Sequence, residues 1–296
     1  MNFLHKPVLL KEAVEGIFNG DGAYLDATIG GGGHTAALLE KLGSNSKVFG
    51  IDRDADAIAA CQERFANESR VKLIRGRYEN VSNLLNENFK GALLDLGVSS
   101  PQLDIAERGF SYKQDGPLDM RMDTTAKLTA ADILNNFSKS ELTSIFRSCG
   151  ELSDARRIAT AVRRARPLSS TKDLAQIAER FAYQKNVQAK IFQAIRITVN
   201  GELEGLGAAI EDIIKILESG GVVAVITFHS LEDRIVKQKF AELENPCICP
   251  REAPYCVCGR LPVLKRVNKK AIIPSKTEVA ENSRAASAKL RVARKI

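Results

Sequence analysis

The sequence predicts an α/β fold: a doubly wound, mostly parallel sheet with an all-helical segment inserted into it. Three observations carry that expectation. Short apolar runs alternate with helical periodicity over the first hundred residues, purely helical periodicity fills about 128 to 200, and the alternation resumes after Leu203. Strands that return to the same sheet edge through helices run parallel.

Each element has a local reason. Tyr24 to Thr28 is a short buried-strand run, Gly30 to Gly33 a turn, and His34 to Leu42 a helix stopped by Gly43. Lys47 to Asp52 forms a second strand. Asp54 to Ala66 is a helix whose first-turn acids face the positive end of its dipole. Val71 to Ile74 and Ala92 to Leu96 supply the third and fourth strands. The helical stretch that follows is rich in arginine, at 147, 156, 157, 163, 164 and 166, until Pro167 breaks it. A helix over Leu203 to Leu217, a turn at E-S-G-G, a fifth strand over Val222 to Phe228 and a helix over Leu231 to Leu243 come next. Pro262 to Ile273 and Ala288 to Ala293 are candidates for the last strands. The expected organisation is one sheet domain from 1–125 and 201–296, with 126–200 as the helical insertion.

Composition narrows the class. At 296 residues, 44% hydrophobic and 27% charged, the chain is neither disordered, collagenous nor coiled coil. No apolar run approaches the roughly 18 residues of a membrane span, and M-N-F-L-H-K-P-V-L-L-K-E lacks a signal-peptide pattern. A cytoplasmic protein that does not engage membranes is expected. The net charge of +7 is uneven: Gly259 to Ile296 holds eleven Lys and Arg against two Glu, a local +9, so the remainder sums to −2. That tail is expected to face nucleic acid.

The segment D-A-T-I-G-G-G-G-H, Asp26 to His34, ends a strand and opens a helix, where glycine lets backbone approach a ligand. Asp52, at the end of the second strand, stands where an acid accepts both hydroxyls of a ribose. Dinucleotide enzymes and S-adenosylmethionine methyltransferases share this geometry. The dinucleotide fingerprint fails, because its third glycine falls at Thr35. The methyltransferase pattern fits Asp26, Gly30 and Gly32, with Thr28 in place of its first glycine. Asp95, in A-L-L-D-L-G, ends the fourth strand on the same edge.

From L-L-D-L-G-V-S-S-P-Q-L-D (93–104), through E-R-G-F-S-Y, to D-G-P-L-D-M-R-M-D (115–123), the chain closely resembles the bacterial 16S ribosomal RNA cytosine-N(4) methyltransferases, the RsmH or MraW family. H-K-P-V-L-L-K-E-A-V, G-G-G-G-H, I-D-R-D, F-Q-A-I-R-I-T-V-N-G-E-L, F-H-S-L-E-D-R-I-V-K and P-S-K-T-E-V-A-E-N-S-R-A-A-S-A-K-L-R-V-A extend the match along nearly the whole chain. The resemblance implies a class I, Rossmann-like methyltransferase fold. It implies S-adenosylmethionine bound at Gly30, Gly32, Gly33 and His34, Asp52 on the ribose, Tyr78 beside the adenine, Asp95 near the adenine or methionine portion, and Gln102 closing the site. The implied substrate is a cytidine of 16S rRNA, within the small ribosomal subunit. Relatives often carry a His-Pro-Ala-Thr-Arg-like string just before F-Q-A-I-R, where this chain reads N-V-Q-A-K-I-F-Q-A-I-R.

Methylating an exocyclic amine requires orienting a weak nucleophile and accepting its hydrogen bonds as charge develops. Ser100, in S-S-P-Q after the fourth strand, is the expected acceptor, with backbone carbonyls of that loop as rivals. Asp119, Arg121, Asn200, His229 and Arg234 are candidates for contacting substrate, each with an ion-pairing, capping or packing role as the alternative. Carbon-5 methylation would need a cysteine beside proline; Pro246-Cys247 lies in a loop after a helix, far from the expected position. The loop C-I-C-P-R-E-A-P-Y-C-V-C, Cys247 to Cys258, is not the C-x-x-C pair typical of zinc sites, and it leaves bound zinc and reduced packing thiols both open. No metal is assigned to the reaction. Two other classes compete: a non-catalytic RNA-binding ribosome-assembly factor, opposed by the intact Asp52 and Asp95, and a nucleotide-dependent oxidoreductase, opposed by the missing glycine. Oligomeric state is not legible.

Overall fold

A computed structural model describes residues 7–250 and 255–296; His5 of the first motif lies outside them. The chain divides into two compact units, one of residues up to Gly97 with Glu204–Ile296, the other Val98–Leu203.

The first unit is built on seven strands: β1 Ala23–Asp26, β2 Lys47–Asp52, β3 Val71–Arg75, β4 Phe89–Asp95, β5 Leu217–Thr227, β6 Leu264–Arg266 and β7 Lys289–Lys295. Their order is β3-β2-β1-β4-β5-β7-β6. The first five pair parallel, while β7 runs antiparallel to both β5 and β6. The dinucleotide fold has the order 3-2-1-4-5-6 with no strand slipped in between the last two. Parallel strands covered on both faces read as continuous apolar runs. Here Leu25, Ala92, Leu94, Val223 and Val225 pack into one core. Tyr24, Leu93, Val222, Ala224 and Ile226 pack into the other, from the opposite face.

The strand order reverses between β1 and β4. At such a switch point two loops leave in opposite directions and open a crevice at the carboxyl ends of the strands. The glycine loop leaves β1 there, and Asp95 ends β4 beside it.

The second unit is helical, with helices Ala130–Asn136, Lys139–Ser148, Ala155–Arg164, Thr171–Glu179 and Val187–Asn200. Three begin in reciprocal capping boxes, Thr129 with Asp132, Ser138 with Glu141 and Ser170 with Asp173, which satisfy amide donors that a helix start leaves free. Ile133, Leu142, Phe146, Ile158, Ile191 and Ile195 form its core.

Two expectations are displaced. The helical unit starts at Val98 rather than 126, because Phe110, Leu118, Met120 and Met122 from the irregular stretch join the helical core; polar and glycine-rich sequence around them masks that apolar spacing. The E-S-G-G segment is no turn: it lies inside β5, with Gly220 at φ +80° and the pairing register to β4 shifting between Phe89 and Gly91. Glycine there permits a kink within a continuous strand.

Candidate active site

The glycine loop is shaped by positive backbone angles and by Asp52. Gly30 and Gly32 have φ of +51° and +73°, a region L-residues with a Cβ avoid. A Cβ on Gly32 would lie 2.5 Å from Phe65 Cε2, and one on Gly33 2.2 Å from Pro7 Cγ, so both positions are closed to side chains. Asp52 reaches across from β2: its Oδ2 accepts from Gly30 N at 2.9 Å and its Oδ1 from Asp54 N at 2.9 Å. Burial pushes the Asp52 carboxyl above its ordinary range, and these two amide bonds oppose that push. Each oxygen keeps a second lone pair for another donor.

Asp26 lies beneath the loop, buried, its Oδ2 accepting from Thr35 Oγ1 at 2.7 Å. Burial lifts its pKa to about 6. Thr28, which replaces a motif glycine, accepts from Asp95 N through its hydroxyl at 2.6 Å and so ties β1 to β4 at the switch point.

Asp95 and the first-turn His34 form the next layer. His34 Nδ1 lies 3.6 Å from Asp95 Oδ2, while its Nε2 lies 3.1 Å from the Val8 carbonyl oxygen. A carbonyl only accepts, so Nε2 carries a proton. Asp95 Oδ1 is buried without a hydrogen-bond partner among the described residues. Burial, then the charges of Asp26 and Glu232, raise the Asp95 pKa well above its usual value. A buried acceptor with nothing to accept from marks a place for a donor. Tyr78 opens a short turn after β3, half-buried, and Gly76 N donates to Asp52 O at 2.9 Å to hold that segment at the same edge. His229 caps the helix Ser230–Glu244 that follows β5: its Nδ1 accepts from Glu232 N at 3.3 Å, and its Nε2 stands 3.1 Å from Glu232 Oε1. Arg234 is exposed on that helix.

In the second unit, Ser99 caps the helix Ser100–Asp104, and Gln102 answers by accepting from Ser99 N at 3.0 Å. Ser100 occupies the first helical position. Asp119 and Arg121 pair in two parallel bonds of 2.9 and 2.6 Å, and Arg121 also donates to the carbonyls of Thr124 and Ala126. Burial lifts the Asp119 carboxyl, but Arg121 outweighs it and holds the group below its ordinary range. Asn200 is buried; it accepts from Met122 N and donates to the carbonyls of Met120 and Arg196. These three side chains fold the 119–126 segment onto the helix end.

The MraW methylase family matches the chain over residues 2–296. A Clostridium botulinum (strain 657 / Type Ba4) protein named ribosomal RNA small subunit methyltransferase H is 45% identical over 309 residues, with all of both chains covered at 100%. A protein of the same name from Caldicellulosiruptor saccharolyticus is 45% identical over 304 residues, covering 99% of each chain. The chain belongs to the MraW methylase family.

This methylase takes its methyl group from S-adenosylmethionine, and the residues at the β1/β4 switch point fit that cofactor. The positive-φ turn at Gly30, where an added Cβ would meet only Thr28 O at 3.9 Å, leaves the loop open, Asp52 offers acceptors for a ribose, and Asp95 Oδ1 awaits a donor. The oxidoreductase alternative does not survive the family match or the antiparallel β7. The sequence places Asp26 and Thr28 in the methyltransferase pattern without giving either a partner, and shows Thr35 only as the residue that spoils a dinucleotide fingerprint; their bonds to one another and to Asp95 are visible in the fold alone.

Proposed function

We propose that this methylase transfers a methyl group to the N(4) amine of a cytidine in 16S rRNA of the small ribosomal subunit. The observation that carries the cofactor half is Asp52, braced by two backbone amides, one of them from the glycine loop, with a lone pair left on each oxygen. When bound, S-adenosylmethionine supplies an electrophilic methyl on a sulfonium. Asp52 would accept the ribose hydroxyls, and the Gly30–Gly33 loop would hold the cofactor at the strand ends. The ring of Tyr78 offers an aromatic face for the adenine. Asp95 Oδ1 would accept from a cofactor amine, with His34 Nδ1 lying 3.6 Å behind it at Oδ2. Gln102, braced against Ser99, orders the S-S-P-Q turn, and Ser100 Oγ accepts from the target amine as positive charge develops on it.

The helical insertion supports an RNA substrate. An open groove beside the helices Lys139–Ser148 and Ala155–Arg164 is lined by Lys139, Arg147, Arg156 and Arg163 with the hydroxyls of Ser140 and Thr143. No ion pair among the described residues engages any of these four cations. Cations interleaved with small donors suit a phosphate backbone. The tail is less available than its charge suggested. Arg266 pairs with Glu244, Arg291 and Lys289 pair with Asp233, Arg294 donates to Gly220 O, and Lys295 donates to Leu217 O.

The test is nucleoside mass spectrometry of 16S rRNA, free and within small subunits, after reaction with labelled S-adenosylmethionine. N(4)-methylcytidine, or its 2′-O-methylated form, is expected. Label in 5-methylcytidine would overturn the proposal.

A further inference from the structure

Between Glu244 and Leu264 no helix or strand is described, yet this stretch brings four sulfur atoms to one point. Its base is closed by Val263 N donating to Leu243 O at 2.9 Å and by Arg266 pairing with Glu244. Above that base, Cys256 Sγ lies 3.6 Å from Cys247 Sγ, 3.9 Å from Cys249 Sγ and 3.5 Å from Cys258 Sγ, and Cys247 and Cys258 are 3.9 Å apart. All four atoms fall within 4.8 Å of one another.

Packing does not account for the convergence. Buried thiols behave as small apolar groups and gather where larger apolar side chains also gather. Here the larger ones face solvent: Ile248, Tyr255, Val257 and Leu261 are 66%, 73%, 75% and 78% exposed. Cys247 and Cys256 are themselves exposed, and none of the four is in a disulfide. Something other than hydrophobic burial has selected sulfur for the interior of this loop.

Two geometric facts identify it. A tetrahedron with metal–sulfur bonds of about 2.3 Å has edges of about 3.8 Å, and the four measured edges straddle that value. A four-iron cluster would hold its cysteine sulfurs much farther apart, so the space admits a single ion. A backbone amide also points into the cluster: Val257 N donates to Cys249 Sγ at 3.3 Å. An amide donor aimed at sulfur suits a thiolate, which is the state a metal takes.

We propose that Cys247, Cys249, Cys256 and Cys258 hold one zinc ion in a closed, four-thiolate structural site. Binding replaces the thiol protons with the metal, releasing up to four protons to solvent. With all four positions filled by protein, the ion is a brace for the loop and takes no part in methyl transfer. It fixes a segment that has no core of its own, and it holds the four large apolar side chains outward.

The test uses the full chain purified without chelator. Metal analysis is expected to find one zinc per chain, and the native mass should exceed the denatured mass by one zinc less the displaced protons. Cys247→Ser combined with Cys256→Ser should abolish this, while Cys149→Ser retains it. Cobalt added to the zinc-depleted chain should give thiolate charge-transfer and tetrahedral visible bands. Affinity for S-adenosylmethionine is expected to stay within twofold in the double variant, so a failure here leaves the methyltransferase reading intact. Should the double variant not fold, the wild-type metal content and mass decide alone. Zinc absent with four rapidly alkylated thiols, stoichiometric iron, or an unreduced mass lower by two disulfides would each overturn the proposal.

Discussion

Replacing Asp52 by alanine tests the cofactor site most directly. The carboxylate does two things: it accepts from Gly30 N and Asp54 N, both at 2.9 Å, and it presents its other lone pairs to the ribose. A hydrogen bond to a charged acceptor contributes about 1.5–3 kcal/mol, so losing two ribose bonds costs about 3–6 kcal/mol. Because each oxygen already serves a backbone amide, the lower end applies, and S-adenosylmethionine affinity should fall about a hundredfold. Asp52→Asn keeps one acceptor and the side-chain shape, so a loss of about tenfold is expected. The product, which differs by the methyl and the sulfonium charge and keeps the same ribose, should lose affinity by about the same factor. Removing the brace also frees Gly30 N, so the unliganded alanine variant should melt a few degrees lower, at about 2–4 °C per kcal/mol. Calorimetric titration with both ligands, together with thermal unfolding, reads all of this. Since burial raises the Asp52 pKa, its protonated form appears above the ordinary carboxylate range as pH falls, and wild-type affinity should weaken there first. An alanine variant binding within twofold of wild type would refute the reasoning.

Other side chains give outcomes of their own. Asp26, with its pKa lifted from 3.8 to about 6, binds its proton more tightly folded than unfolded; its ionisation should therefore lower stability by about 3 kcal/mol as pH rises from 4 to 6. Denaturant unfolding of Asp26→Asn should lack that decline when compared with wild type. Asp233 has the opposite sign: burial lifts its pKa, but Arg291 and Lys289 outweigh burial and hold it low, so its contribution is full above the unfolded value and is lost as pH falls through the folded one. Asp233→Ala leaves the Arg291 guanidinium, 9% exposed, without its partner and should cost about 3–5 kcal/mol in chemical denaturation. Arg156→Gln with Arg163→Gln should make the salt dependence of RNA binding shallower by about 0.7 for each phosphate these arginines neutralise, with cofactor affinity unchanged; a slope equal to wild type would remove the groove from the RNA path. Lys265→Gln with Lys269→Gln, both exposed, should leave the fold unchanged and alter that slope by no more than about 1.4 if each touches one phosphate.

The sequence by itself determined whatever rests on neighbours along the chain. Apolar runs bounded by turn residues located β2 residue for residue, β1 and β3 closely, and the carboxyl-terminal parts of β4 and β5, because strand and helix periodicities are local. The glycine loop and Asp52 were legible for the same reason: a turn between strand and helix needs glycine, and an acid at the end of the next strand lies on the same edge. Tertiary structure decided the rest, where the partner is distant in the chain. Thr28 is joined to Asp95 across 67 positions, Arg291 to Asp233 across 58, and Asn200 to Met122 across 78. A lysine or arginine reads as one positive charge whether it faces solvent or an aspartate, so composition assigned the tail to nucleic acid while folding committed Arg266, Lys289, Arg291, Arg294 and Lys295 to internal partners. The arginines beside Lys139–Ser148 stayed unpaired because the apolar side of each helix is buried in the core and the charged side is left to face water. Which cations remain available is set by burial and pairing across the fold, and neither has a period in the sequence.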